Sequence, residues 1–256
     1  VFLILVLIVG AFGAVLGNMF VGDPSVPSSY LLMLVAGLIL GVLIYRVKMN
    51  FTLATIIGVV MLIAAIFGGI AMPITAPKSV WFAIMFFYII IAAAIPVNVL
   101  LQPRDYLNSW LLYVGLAIGA LAALSSGVQF SAPAFTSFAP IVSGGKPSPF
   151  WPVIPLIVAC GSLSGFHSLV GSGTTSKQLD KESSGLTIGY GGMLFEGFLS
   201  TIVVVAVAGY GLGLLVNAGQ DISAANWGQQ YLAASGAAGI SGAGMFTAAY
   251  AEMVAS

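Results

Sequence analysis

Charge is what this sequence has least of: Lys, Arg, Asp and Glu make up 5% of its 256 residues, against 60% hydrophobic residues. A soluble domain carries about 25% charged residues, and a globule this poor in them cannot cover itself in water. The seven basic and seven acidic residues cancel, so nothing in the balance suggests nucleic acid or an acidic partner surface. There is one cysteine. Cys160 therefore excludes an internal disulfide and any cysteine-based metal site, and in its apolar run it reads as a small packing residue. The single histidine, His167, has no second imidazole with which to complete a metal site. No Gly-Lys-Ser/Thr phosphate loop occurs, so the chain does not itself hydrolyse ATP, and no cofactor is expected. The sequence opens at Val1 inside an apolar run, without an initiator Met or a signal-peptide n-region. The C-terminal residues also stop inside an apolar run, and the chain is expected to be an internal part of a longer protein. What is abundant is glycine, with 32 residues, which in a membrane context marks close helix approach or broken helices. The class this defines is an all-α polytopic membrane protein, in contact with lipids.

Apolar runs near the ~20 residues needed to cross the hydrocarbon place spans at about 1–21, 30–45, 52–72, 80–101, 108–126, 151–172 and 188–216. An eighth starts near 240–256, for about 7–8 transmembrane helices in one transmembrane domain covering 1–256. Alternate loops carry Arg46 and Lys48, then Arg104, then Lys177 and Lys181, while the intervening loops carry only Lys78 and Lys146. The positive-inside rule puts the first group in the cytoplasm. Asp23, Asp221 and the segment 127–150 then face the outside. That segment is rich in Pro, Ser and Gly, has no helical period, and holds Phe130, Phe135, Phe138 and Phe150 with Trp151 beside it. It reads as an extracytoplasmic connector at the headgroups or a lid.

Pro96 sits late in the fourth span and predicts a kink or break near Ala92 to Pro96, because proline removes a helical hydrogen bond and clashes with the preceding turn. Asn98 is placed to satisfy the groups this frees, or to contact solute. Farther on, in QPRDYLN, Arg104 and Asp105 are placed at the cytoplasmic end. Spacing alone reads them as an anchor and a surface ion pair; the alternative is a gate, formed by Arg104 with Asp105 or with Asp180 and Glu182 in the loop of Lys177.

The stretch 152–196 starts as a span and is then interrupted by small residues. Hydrocarbon offers no water to unpaired N–H and C=O groups, so Gly, Ser and Thr clusters at membrane depth survive where backbone is buried in protein or lines a cavity. On one helix, Cys160, Ser164, His167 and Gly171 share a face, with Ser168 alongside. Gly161, Gly165, Gly171 and Gly173 argue instead for a discontinuous helix, since each costs ~1 kcal/mol relative to Ala in a helix interior. Half-helix N-termini suit carboxylate groups. An amino acid, a peptide C-terminus or a 2-oxo acid satisfies that requirement. His167 is able to pass a proton or donate to a carboxylate; the alternative is a bond to a neighbouring helix. Glu196, ~12 Å along the seventh span counted from Ile188, is placed for proton coupling or for a fixed bond to Ser, Thr or Tyr. Glu252 is weaker, being close to the chain end. Gly189, Gly191 and Gly192, with Tyr190, serve tight helix packing or backbone contact with solute.

Three ordered segments, LLQPRDYLN, IVACGSLSGFHSLVGSGTTSKQL and IGYGGMLFE, closely resemble the carbon starvation protein A family of inner-membrane transporters, over roughly Pro96 to Ser200. The matching positions are Pro103, Arg104, Asp105 and Tyr106, then Gly165, Phe166, His167, Ser172, Gly173, Thr174, Thr175 and Lys177, then Gly189, Tyr190, Gly191, Met193, Leu194 and Glu196. Two positions depart: Gly171 stands where serine is common and Ser176 where proline is common. The resemblance implies a secondary transporter of small peptides or pyruvate, working under carbon limitation, with a proton as coupling ion. It also implies kinship to the inverted-repeat bundles of the amino acid–polyamine–organocation superfamily, and gives weight to a role for Arg104 and Asp105.

On this reading the solute lies near the break at Gly161 to Thr175, with Ser164, His167, Ser168, Ser172, Thr174 and Glu196 lining or coupling the path and Arg104, Asp105 and Lys177 at a gate. A second reading is an intramembrane serine hydrolase with Ser172 as nucleophile and His167 as base. Five residues apart on one helix these project about 140° apart, and no triad partner is evident. A third is a signalling or scaffold protein, which binds no solute.

Overall fold

The structure is a computed structural model of the whole chain, and it describes residues 2–127, 129–141, 146–162, 171, 173, 175–240 and 242–256. The elements are helices, arranged in two compact units, Val1–Gly115 and Leu116–Ser256.

In the first unit α1 (Phe2–Gly22), α2 (Ser25–Tyr45), α3 (Phe51–Ala71) and α4 (Lys78–Ala94) are followed by the start of α5 (Val97–Ser125). The α1/α2 turn is set by Asp23, whose Oδ1 accepts from the Ser25 backbone N–H (2.9 Å) and hydroxyl (2.7 Å). Between α2 and α3 the chain reverses through Lys48, the one described non-glycine residue with positive φ (52°), and Asn50 caps α3 by accepting from Thr52 N–H at 3.0 Å. Helices here meet through small residues. A Cβ on Gly13 would lie 3.1 Å from the Phe82 ring, and one on Gly58 2.8 Å from Leu107, so α1 meets α4 and α3 meets α5 closely at glycine. The resulting core of Ala36, Leu40, Ala54 and Leu107 is fully enclosed. Phe20 packs edge-on against buried Trp81 at 5.2 Å.

Pro96 does more than kink a span. Ile95 is extended (φ −84°, ψ 137°) between the end of α4 and the start of α5, as expected of a residue that precedes proline. Tyr88 and Arg104 hydrogen-bond at 2.9 Å, whereas sixteen residues of continuous helix would separate them by ~24 Å. The chain therefore reverses at Ile95–Pro96. This corrects the reading of a fourth span at 80–101, a fifth at 108–126 and a loop between: QPRDYLN is helical. Its proline is accommodated because a Cβ on Gly41 would lie 3.0 Å from Pro103 Cγ and 3.0 Å from the Val99 carbonyl, the group that Pro103 leaves without its helical donor. Glycine lets α2 close over that break. With Arg104 inside a long helix, the cations in the connections and at helix ends are Arg46, Lys48, Lys177 and Lys181 against Lys78 and Lys146.

The second unit holds the rest of α5, α6 (Phe150–Ser162), a 3-10 turn (Thr175–Gln178), α7 (Glu182–Asn217), α8 (Trp227–Ala237) and α9 (Ala243–Ala255). One core joins Leu116, Ile202, Ala206, Ala249 and Met253; a second joins Leu215, Ile222, Ala234 and Met245. The segment after α5 folds back onto α7, where Ser131 donates its N–H to the Ala208 carbonyl (2.9 Å) and its hydroxyl to the Gly209 carbonyl (2.9 Å). At its far end Ile141 N–H reaches the Gly228 carbonyl of α8 at 3.0 Å. Two boundaries differ from the sequence reading. α7 starts at Glu182 rather than 188, its ESSG opening being a helix first turn whose acid suits the N-terminal dipole, and α2 starts at Ser25 rather than 30, with Pro27 tolerated in the first turn. Helix α8 answers to no span in that reading.

By length and composition α2, α3, α5 and α7 are able to cross a membrane, and α1 and α4 contribute shorter apolar helices. α7, with 36 residues, is ~54 Å long. It either tilts or continues past a hydrocarbon core of ~30 Å.

Candidate functional site

The charged residues best placed by the fold are those of the α5 motif. Gly37 is the seat: a Cβ there would lie 3.1 Å from Arg104 Cα and 3.3 Å from its N, so the α5 backbone rests on α2. Gly37 lies twelve residues after Ser25 and eight before Tyr45, hence ~18 Å and ~12 Å from the ends of α2. Arg104 is thus at depth inside the bundle, not at the cytoplasmic end where the loop reading put it.

An arginine at that depth must be paired and hydrogen-bonded. Asp105 Oδ1 accepts from Arg104 Nη2 at 2.8 Å and from Nε at 3.1 Å, and Arg104 Nη1 donates to the Tyr88 hydroxyl at 2.9 Å. Tyr88, on α4, stands edge-on to Tyr30 of α2 with ring centroids 6.4 Å apart. The pair is asymmetric: the Arg104 side chain is 20% exposed and that of Asp105 61%. Arginine is held from behind, and the carboxylate is on the open side.

The rest of the motif fixes this arrangement. Pro103 covers Gly41. Tyr106 shares a hydrogen bond with Thr55 of α3 at 2.9 Å and packs against Phe51 and Trp110. Leu107 is 1% exposed, and Gln102 Oε1 accepts from the Tyr45 hydroxyl at 3.0 Å. Asn108, one turn beyond Arg104, keeps a buried Oδ1 with no partner among the described residues. Tyr30, Tyr88 and Thr55 escaped sequence reasoning. The available signal was the G-L-I-L-G spacing at 37–41, a small-xxx-small stripe that marks where another helix comes close, and the lone tyrosine in FFYIII.

The second candidate region is only partly described. Ser164, Gly165, His167, Ser168, Ser172 and Thr174 lie outside the described residues, as does the pairing of Ser172 with His167. Gly161 falls in the last turn of α6, Gly173 is helical, and Thr175 and Lys177 lie in the 3-10 turn. Glu196 is exposed on α7, fourteen residues from its start and so ~21 Å along it, deeper than the ~12 Å counted from Ile188. Around it Leu186, Tyr190, Leu194 and Phe195 are exposed, and Gly189, Gly191, Gly192 and Gly197 have no described neighbour within 4 Å of an added Cβ. Among the described residues, no group of His, Cys, Asp and Glu is placed to hold a metal ion.

A multi-pass helical membrane protein with an ion pair inside one helical unit is the class these features define. The chain belongs to the family described as carbon starvation protein CstA, whose model matches residues 1–250. Among curated relatives it is 37% identical over 178 residues to "Peptide transporter CstA" of Bacillus subtilis (strain 168), covering 64% of this chain and 29% of that protein. It is 40% identical over 126 residues to "Peptide transporter CstA" of Escherichia coli (strain K12), covering 46% of this chain and 17% of the relative. With "Pyruvate/proton symporter BtsT" of the same strain it shares 36% identity over 169 residues, covering 60% and 23%. The chain thus spans less than a third of the length of these relatives. No solved structure matches.

Proposed function

We propose that the protein is a secondary active transporter that takes up a small carboxylate-bearing nutrient, a short peptide or pyruvate, together with a proton across the bacterial or archaeal inner membrane when carbon is scarce. The observation that carries this reading is the Arg104–Asp105 pair, opposite Gly37 at depth in a helical unit, with its carboxylate on the open side. An exposed aspartate at that depth cannot face acyl chains; it faces a polar path or further protein. A fixed guanidinium offers a carboxylate two parallel N–H bonds. The names of the relatives, peptide transporters and a pyruvate/proton symporter, support the solute class and the coupling ion. Gly161 to Thr175, with His167 and Glu196, remain candidates of the second unit on the sequence argument. The protein in proteoliposomes should accumulate labelled dialanine or pyruvate when the lumen is made alkaline relative to the outside, and collapse of the gradient should abolish accumulation. No uptake of either solute under an imposed gradient would remove the proposal. Competition of one solute against the other then assigns the substrate.

A further inference from the structure

Asp105 holds Arg104 by the very edge that a ligand carboxylate would use. We propose that this pair is the coupling site: a solute carboxylate and the Asp105 carboxylate compete for the Nε/Nη2 edge of Arg104, and a proton on Asp105 is the condition for solute binding. The inference deepens the transport reading and rests on it, since it names the residues at which solute and proton meet.

Three features lead to it. First, Asp105 engages the edge with a single oxygen, Oδ1, at 2.8 and 3.1 Å. Adjacent helix positions project ~100° apart, so Arg104 has to bend back to its neighbour and the two-oxygen, two-N–H fork does not form. A free carboxylate has no such tether and can present both oxygens, giving the stronger bidentate geometry. Second, Tyr88 holds Nη1 independently at 2.9 Å, with Tyr30 packed against Tyr88. The guanidinium therefore stays in place when Asp105 lets go. Third, the more exposed partner is the acid, so the carboxylate is the member of the pair that a proton can reach from outside the helix packing.

Charge balance then enforces the coupling. Empty, the site holds guanidinium and carboxylate, net zero. If solute bound while Asp105 stayed ionised, two carboxylates would share one cation at depth, an uncompensated charge. Protonation of Asp105 restores neutrality: guanidinium, solute carboxylate and a neutral acid. No bond is made or broken except that to the proton, which arrives with the solute and leaves with it. Among the described residues the groups facing the pair are the phenols Tyr88 from α4 and Tyr30 from α2; the sequences of α1 and α3 contain no ionisable side chain. Asp105 is thus the carboxylic acid of this site, the group on which the coupled proton would sit.

Pyruvate is the clean probe, because it has no group that titrates near neutrality, and its binding to the purified protein is measured as a function of pH. Wild-type affinity should tighten on acidification, by at most about tenfold per pH unit for one linked proton. Asp105→Asn should bind at least as tightly as acidified wild type, with no pH slope, and should exchange pyruvate across liposomes without being driven by a pH gradient. Arg104→Gln should lose affinity by about 100-fold, and should no longer distinguish dialanine from dialanine amide. Should Arg104→Gln misfold with Asp105 left unpaired, the double variant Arg104→Gln/Asp105→Asn, which removes both charges, gives the same test. A wild-type pH slope in Asp105→Asn, or wild-type affinity in either Arg104 variant, overturns the coupling site alone. Absence of binding and uptake of pyruvate and dialanine by wild type overturns the transport reading with it.

Discussion

The α5 motif around Arg104 and the first half of α7 around Glu196 both place an ionisable residue within a long apolar helix, and their surroundings differ. At Arg104 the α2 glycines are filled to contact by Pro103 and the Arg104 backbone, Leu107 is enclosed, and the guanidinium has partners on two sides. On α7 the glycines at 189, 191 and 192 meet no described neighbour, and large apolar side chains around Glu196 are exposed. Glycine serves two ends here. In α2 it admits another helix; in the first half of α7 it thins the helix surface without such a contact among the described residues. The contrast separates a charge enclosed by close helix packing in the first unit from an acid on an open helix face in the second.

Substitutions can break this comparison. The largest effect is expected from Arg104→Gln, with uptake at saturating gradient reduced by about 100-fold, whereas Glu196→Gln should slow uptake yet keep the pH slope of pyruvate binding. If Glu196→Gln erased that slope and Asp105→Asn did not, the roles of the two regions would be reversed. Next come packing changes. Leu107→Ala leaves a cavity in an enclosed core and should cost about 2–5 kcal/mol, and Gly37→Val, which drives a side chain into the Arg104 backbone, about 1–3 kcal/mol; both are read as a lowered unfolding midpoint in detergent. Tyr88→Phe deletes one hydrogen bond to a charged group, worth about 1.5–3 kcal/mol, and should weaken pyruvate binding by roughly tenfold or more while leaving its pH slope intact. Smallest of all, Gly189→Ala should leave stability unchanged or raise it by up to ~1 kcal/mol, the difference in helix propensity, with the midpoint moving accordingly. A loss as large as that of Gly37→Val would mean that the α7 glycines are packing contacts after all.

Much of the fold could be read from hydropathy, because uninterrupted apolar runs such as 1–21 and 52–72 have one stable solution in lipid, and α1 and α3 follow them to within a residue at each end. Pro96 likewise announced a break through local sterics. Charge misled the reading at QPRDYLN. A proline and an ion pair resemble a loop when seen in sequence, but their fit in a helix depends on Gly37, Gly41 and Tyr88, residues far away along the chain. The same cause hid the first turn of α7, where Glu182 and two serines form a helix start rather than a loop. Arg104 and Asp105 were recognised as candidates; their depth, and the tyrosines behind the guanidinium, are tertiary facts that local pattern does not carry. The Gly161–Thr175 candidates rest on the sequence argument, since most of them lie outside the described residues.

Competition for Arg104 requires that one proton enter the site with one carboxylate. Calorimetry of pyruvate binding in two buffers with different heats of ionisation counts protons taken up per solute bound. Starting from a pH at which Asp105 is ionised, the wild-type protein should take up about one proton per pyruvate and Asp105→Asn none. Binding by wild type without proton uptake, or the same uptake in Asp105→Asn, would contradict the competition for Arg104.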